Sequence, residues 1–334
     1  LAGSSSGTTN GIGTNSRFSS PNGICISSDG VYALVTEIGS NLIRKIILST
    51  SSVSTIAGGG TSLNGIGTNV RFNIPTGISF SSNGSYALIA DRSNHLIRKL
   101  DISSNLVTRI AGRTYFDPAI GTNAFFSSPS LISYSKNGSF ALFCDTNYHI
   151  IRKVIISTGL ITTITGGFQS GNVDGIGTNA LFYNPNGISI SNNDDNFALI
   201  SDSSNNRIRK IILSTNLVST LAGGSSSGNI NGIGTNAKFN QPCGIIISPD
   251  NSYSIITDYG NHQIRKIILS TLEVSLLSGS SSGFRNGIGT NVLFNNPYSI
   301  SFIYKNTSIL ISDRGNNLIR EMKLSTNEVT TIAG

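Results

Sequence analysis

The sequence predicts an all-β protein, a six-bladed β-propeller with four antiparallel strands per blade. Three observations carry this: a motif that recurs six times, hairpin chemistry within each copy, and a composition that disfavours helices. The motif reads N-G-I-G-T-N-x-x-F-x-x-P-x-G-I, then a strand pair, then D-x-x-N-[N/H]-x-I-R-K and V-x-T-I-A-G. Its phase is marked by Ile12, Ile66, Ile120, Ile176, Ile233 and Ile288, spaced 54, 54, 56, 57 and 55 residues apart. Copies at such a period imply a solenoid, a propeller or an array.

The second repeat shows how each element follows. Residues 76–81 form a short strand that should lie innermost, and Asn83-Gly84 supplies a tight hairpin turn into a second strand at 85–90. Asp29-Gly30 and Asn137-Gly138 are equivalent turns. The third strand, 96–102, is apolar apart from Arg98, Lys99 and Asp101, the pattern of a strand covered on both faces. A Ser/Asn turn at 103–105 leads to an outer strand at 106–111, and a long Gly-rich connection crosses to the next unit. Radial repetition of such four-strand units describes a propeller. A linear solenoid competes, but sheets with an apolar third strand pack face to face around an axis more readily than they stack end to end. The expected organisation is one domain over 1–334, with blades at about 4–58, 59–112, 113–167, 168–224, 225–279 and 280–334. Leu1-Ala2-Gly3 repeats the phase of Ile332-Ala333-Gly334, as would the tail of a further blade, yet the sixth outer strand is already supplied at 329–333, so each blade is expected to come from one repeat.

Charged residues are only 12% of the 334, and Gly, Ser, Thr and Asn are abundant, which suits turn-rich β structure. The formal charge of +7 falls largely on Arg-Lys pairs at one repeat position (Arg44-Lys45, Arg98-Lys99, Arg152-Lys153, Arg209-Lys210, Arg265-Lys266), with Arg320 as the sixth, and so is a distributed feature with no basic tail. Cys25, Cys144 and Cys243 sit at three different phases, which argues against a disulfide framework or a zinc site. No apolar run approaches the roughly 20 residues that span a bilayer, so no membrane insertion is expected within this segment. No signal peptide is evident; because the chain starts at Leu1, a leader removed or a longer parent trimmed both remain open.

Six phenylalanines, Phe18, Phe72, Phe126, Phe182, Phe239 and Phe294, each stand three residues before a proline. Their regularity points to plugs between blades, the Pro fixing the backbone that enters the inner strand. The acids Glu37, Asp91, Asp145, Asp202, Asp258 and Asp313 precede Arg44, Arg98, Arg152, Arg209, Arg265 and Arg320 by seven residues. A turn between them brings each acid diagonally across from its Arg on one sheet face, which predicts shielded ion pairs around the ring and no catalytic use. His95, His149 and His262 share a position occupied elsewhere by Asn41, Asn206 and Asn317, the exchange expected of a turn-stabilising hydrogen bond more than of a metal ligand. Asn83, Asn137 and Asn306 fit the glycosylation acceptor pattern, which arises readily by chance in so Asn- and Ser-rich a chain. Gly-rich segments such as 223–234 lack a phosphate-loop ending and read as flexible connections.

The stretches at 91–99 and 258–266, together with V-S-T-L-A-G-G at 218–224, resemble the NHL repeat, and the resemblance runs over essentially the whole chain. It implies a six-bladed propeller. The family includes RNA-binding modules, sensor and adhesion ectodomains, and a few lyases and hydrolases, so it does not choose a function. The turns between second and third strands and the blade connections are expected to share one rim, the upper face. Variation between repeats concentrates there, at Arg92, Tyr148, Arg207, Tyr259 and Arg314, and in the atypical third connection 113–119 with Tyr115 and Phe116. These residues are the candidates for partner binding. The expectation is a non-catalytic interaction module for a protein or glycan, without cofactor or metal, in an extracellular or cell-surface setting. RNA binding is the alternative, motivated by the positive balance, and a metal-dependent lyase or hydrolase ranks below it.

Overall fold

Each repeat folds into its own sheet because its turns are chemically prescribed. In the computed structural model, which describes residues 5–112, 124–192, 195–224, 226–303 and 307–334, the second blade has strands Pro75–Phe80, Tyr86–Asp91, Leu96–Asp101 and Leu106–Gly112. At its first turn the Ser85 N–H donates to Asn83 Oδ1 (3.1 Å) and the Gly84 N–H to the Ser81 carbonyl (2.9 Å), with Gly84 at φ +71°. Its second turn is a 3-10 segment, Arg92–Asn94, closed by His95 in the left-handed region. The other blades repeat this order, giving six antiparallel sheets.

Four strands per blade were expected, and among the described residues the structure adds a fifth to five of the blades. Gly65–Ile66 pairs with Leu106 and Val107 on the outer edge of its own blade, and Gly11–Ile12, Gly175–Ile176, Gly232–Ile233 and Gly287–Ile288 do the same. The described parts of these Gly-rich connections thus include hydrogen-bonded edge strands, which the sequence reading had not placed there. They do not belong wholly to the upper rim. Each runs along the perimeter, held on one side to its own outer strand and on the other to the end of the preceding blade's outer strand, as in Gly166 N–H to Gly177 O (3.1 Å) and Gly223 N–H to Gly234 O (3.2 Å). Abundant glycine here serves backbone geometry: Gly67, Gly177 and Gly289 adopt φ of 56°, 55° and 56° in the tight G-T-N turn.

The apolar residues gather between blades. One cluster joins Leu34, Ile43 and Ala57 of the first blade to Phe72, Ile89 and Leu100 of the second; another joins Leu142 and Ile151 of the third to Phe182 and Ile200 of the fourth. Burying a side chain of Phe or Leu size is worth about 1.5–3 kcal/mol, so each interface is a core in its own right. The ring closes in the same manner. Phe18 packs with Leu310 and Ile319, the Ser20 N–H donates to Asn317 Oδ1 (2.9 Å), and Ser312 Oγ donates to the Asn22 carbonyl (2.6 Å). Inner strands approach closely around the channel: a Cβ on Gly77 would lie 2.5 Å from the Ser130 carbonyl oxygen of the next blade.

Candidate functional site: the upper mouth of the channel

A repeated triad frames the site. The guanidinium of Arg98 donates to Asp91 (2.9 Å), Arg209 to Asp202 (2.8 Å), Arg265 to Asp258 (3.0 Å), Arg320 to Asp313 (2.7 Å) and Arg44 to Glu37 (3.0 Å), all with fully buried side chains; Arg152 donates to Asp145 at 3.3 Å and is 12% exposed. The register that does this sets Arg98 opposite Ile89, two residues before Asp91 on the same face. Five of these Arg also lie against the Phe of their own repeat, among them Arg98 over Phe72 at 5.3 Å, Arg209 over Phe182 at 5.1 Å and Arg265 over Phe239 at 5.3 Å. Burial pushes Asp145, Asp258 and Asp313 up to about 6, opposed by backbone N–H, Arg and, for Asp258 and Asp313, Asn donors. The far end of the guanidinium holds the connection. Arg265 Nη2 donates to the Ile230 carbonyl (3.0 Å) and Asn231 Oδ1 (2.7 Å), and Arg320 Nη2 to the Arg285 carbonyl (3.0 Å) and Asn286 Oδ1 (2.8 Å). These Asn residues were not singled out from sequence, although they open every N-G-I-G-T-N motif in which they occur.

The turn His and Asn side chains act between blades, where the sequence suggested stabilisation of their own turn. Asn41 Oδ1 accepts the Ile74 N–H (2.7 Å), Asn206 Oδ1 the Gln241 N–H (2.9 Å), His149 Nδ1 the Asn184 N–H (3.2 Å) and His262 Nδ1 the Asn296 N–H (3.1 Å). All four donors precede the Pro of the next blade. His95 Nδ1 is buried with no hydrogen-bond partner among the described residues. Burial lowers the His149 and His262 pKa values below the ordinary one.

Inside this frame, the upper end of the channel opens into a cavity of about 280 Å³ whose lining comes from five blades. Arg92, Thr146, Ser203, Tyr259 and Arg314, the first residues of their 3-10 turns, form its wall. Its floor is a bridge across the channel: Tyr298 of the sixth blade donates its hydroxyl to Asn186 Oδ1 of the fourth (2.8 Å), which also accepts from Ser130 Oγ of the third (2.9 Å). Beneath, Leu131 packs with Tyr298 and Cys243. Burial pushes the Cys243 thiol up to about 12 and raises Tyr298 as well, so both are neutral near pH 7. Among the described residues the lining has two guanidinium groups and no carboxylate or imidazole. A larger cavity of about 560 Å³ lies at the opposite mouth, lined by Ser27, Ile190, Ile247, Phe302 and other uncharged residues. It carries less chemistry, and the upper mouth is the stronger candidate.

Of the partner-binding candidates read from sequence, the structure brings Arg92, Tyr259 and Arg314 together in this cavity. Tyr148 instead packs edge-on against Phe168 (5.7 Å between ring centres), and Arg207 donates to Thr220 Oγ1 (3.4 Å) on the outer strand of its own blade. Tyr115 and Phe116 lie outside the described residues. Sequence reasoning missed Tyr298 and Asn186. The position after the Pro did carry a signal, since it varies through Asn22, Thr76, Ser130, Asn186, Cys243 and Tyr298 in an otherwise uniform repeat. Among the described residues no group of three His, Cys, Asp or Glu is placed to hold a metal ion, and no helix is long and apolar enough to cross a membrane.

No family model matches the chain. It is 29% identical over 313 residues to human NHL repeat-containing protein 2, an alignment that covers 83% of this chain and 43% of that relative, so the chain spans less than half the relative's length. Among solved structures it is similar to an auxiliary nutrient binding protein from Bacteroides thetaiotaomicron (TM-score 0.73, 15% identity, 99% of this chain and 75% of that one). It is also similar to virginiamycin B lyase from Staphylococcus aureus (TM-score 0.57, 16% identity, 97% and 87%). Those identities speak for the fold alone. With the repeat motif and the six sheets in agreement, the chain is a six-bladed β-propeller, similar in sequence to the NHL repeat-containing relative.

Proposed function

We propose that this propeller is a non-catalytic binding module that engages a protein or glycan partner through its upper face, in an extracellular or cell-surface setting. One observation carries the reading: the upper mouth is a closed-bottomed cavity to which five blades contribute polar and aromatic side chains, without an acid or imidazole among them. Rigid blades that present varied side chains at one mouth suit recognition. General acid–base chemistry draws on titratable groups poised near the working pH, and a pocket whose only charges among the described residues are two Arg offers none there. The nutrient binding neighbour supports a binding role and the lyase neighbour supplies the competing one.

The test is to probe arrays of defined glycans and peptides with the wild-type protein, with an R92A/Y259A/R314A variant, and with K136A at the opposite mouth as control. Signals lost in the triple variant and kept in K136A are expected. Signals that survive the triple variant would move the partner off the upper face and overturn the reading. Retention of single-stranded RNA at moderate salt, with no array signal, would replace it by nucleic-acid binding.

A further inference from the structure

Most of the buried arginines in this molecule face a carboxylate, and Arg209 faces two. The half-buried pair at the upper mouth does not. Arg92 makes no side-chain hydrogen bond or ion pair among the described residues, and the contact of the Arg314 guanidinium is with the Tyr298 ring, 5.2 Å from its centre. Tyr298 and Cys243, two of the groups beside them that could ionise, are held neutral by burial. Two unneutralised guanidinium groups on one concave site favour an anion, and their fork geometry suits carboxylate or phosphate oxygens.

The rest of the lining narrows the class. Asn147, Asn184, Gln241 and Ser204 present amides and a hydroxyl, the complement of a ligand rich in hydroxyl groups, and Tyr259 offers a ring face or edge. The cavity, about 280 Å³, lies at the small end of ligand pockets, which run roughly 300–1,000 Å³. The Tyr298–Asn186 bridge stops a chain from threading down the channel. We infer that the upper pocket binds a single acidic sugar unit, carboxylated or phosphorylated, with its anion against Arg92 and Arg314 and its hydroxyls on the Asn, Gln and Ser side chains. This rests on the binding reading above and names the chemistry of that same site.

Isothermal titration calorimetry with glucuronate, N-acetylneuraminate and glucose 6-phosphate tests it, with glucose and acetate as the neutral and the small-anion controls. At least one acidic sugar is expected to bind about tenfold or more tighter than both controls, and more weakly as salt rises. Whether the carboxylated or the phosphorylated sugars bind distinguishes the two anions. R92Q and R314Q are each expected to weaken that binding by about tenfold or more with unchanged thermal unfolding. Glucose binding as well as glucuronate, or affinity indifferent to both substitutions, would overturn the inference. So would failure of all three acidic sugars to bind; if array signals were still lost in R92A/Y259A/R314A, the binding reading would stand without it.

Discussion

The guanidinium of Arg265 lies 5.3 Å from the centre of the Phe239 ring while it donates to Asp258 at 3.0 Å, so two motifs 26 residues apart in sequence meet on one buried cation. Phe239 itself packs between the fourth and fifth blades, against Leu199 and Ile208 on one side and Ile256 on the other. The cation therefore ties its own blade's acid to the residue that seals the blade interface. Arg265→Met is expected to cost about 3–5 kcal/mol, because the Asp258 carboxylate is left buried without its partner. Phe239→Ala should cost about 3–5 kcal/mol through the cavity it opens. Denaturant unfolding of both single variants and the double variant checks the link: a coupling near zero would mean that ring and cation stabilise the protein independently.

The fourth blade carries one acid more than its neighbours at this cation. Asp174 replaces the Asn found at Asn10, Asn64, Asn231 and Asn286, and Arg209 donates to it from Nη2 (2.6 Å) and Nε (3.2 Å). In the blades with Asn, the Nε of Arg44, Arg98, Arg265 and Arg320 is buried without a partner among the described residues. Asp174 is 48% exposed, so solvent screens the pair, and Asp174→Asn should cost under about 1 kcal/mol. Asp202→Asn, at a fully buried partner of the same Arg, should cost several times as much. Equal losses in thermal unfolding would contradict this ranking.

Much of the fold was legible because its elements repeat. The acid and Arg seven residues apart, the Phe three before Pro and the Asn-Gly turn each gain force from recurring at one phase, and the hairpin register that joins Asp91 to Arg98 follows from a turn of fixed length. The edge strands in the connections were missed because glycine signals both loops and left-handed turns, and only the backbone shows that Gly67 and Gly177 use the second. The site was partly legible. Variability at turn positions pointed to Arg92, Tyr259 and Arg314, yet the same criterion drew in Tyr148 and Arg207, which the radial direction of their side chains sends to Phe168 and Thr220. The floor residues Tyr298 and Asn186 meet across the channel, a contact 112 residues apart that no periodic pattern encodes.

Gly187 is expected to tolerate no side chain. A Cβ there would collide with the backbone carbonyl of Cys243 on the next inner strand, and backbone cannot swing aside as a side chain can. Gly187→Ala should therefore destabilise by about 1–3 kcal/mol, the range for overpacking, and should loosen the junction of the fourth and fifth blades. Leu131, which replaces Gly at this repeat position in the third blade, turns its side chain to the channel against Tyr298, so Leu131→Gly should cost packing with no relief of strain. Thermal unfolding of the two variants, with hydrogen exchange at the inner strands, checks both. An unchanged melting temperature for Gly187→Ala would show that the inner strands can part.

The blade junctions held by histidine should weaken in acid while those held by asparagine do not. His149 and His262 accept backbone N–H donors through Nδ1, which is available only in the neutral ring. Burial lowers both pKa values, so the folded state binds these protons less readily than the unfolded chain. The stability they contribute is thus complete above the ordinary histidine value of about 6.5 and is lost as pH falls through the folded-state values. Asn206 and Asn317 make the same bond at other junctions with an amide oxygen that does not titrate. In a H149N/H262N variant the melting temperature should accordingly fall less between pH 7.5 and pH 5 than in the wild type. Other groups, including the buried carboxyls with pKa values of about 6 at Asp145, Asp258 and Asp313, titrate alike in both proteins, so the difference between the two curves isolates the histidines. Parallel curves would show that these rings do not need to stay neutral for the ring of blades to hold.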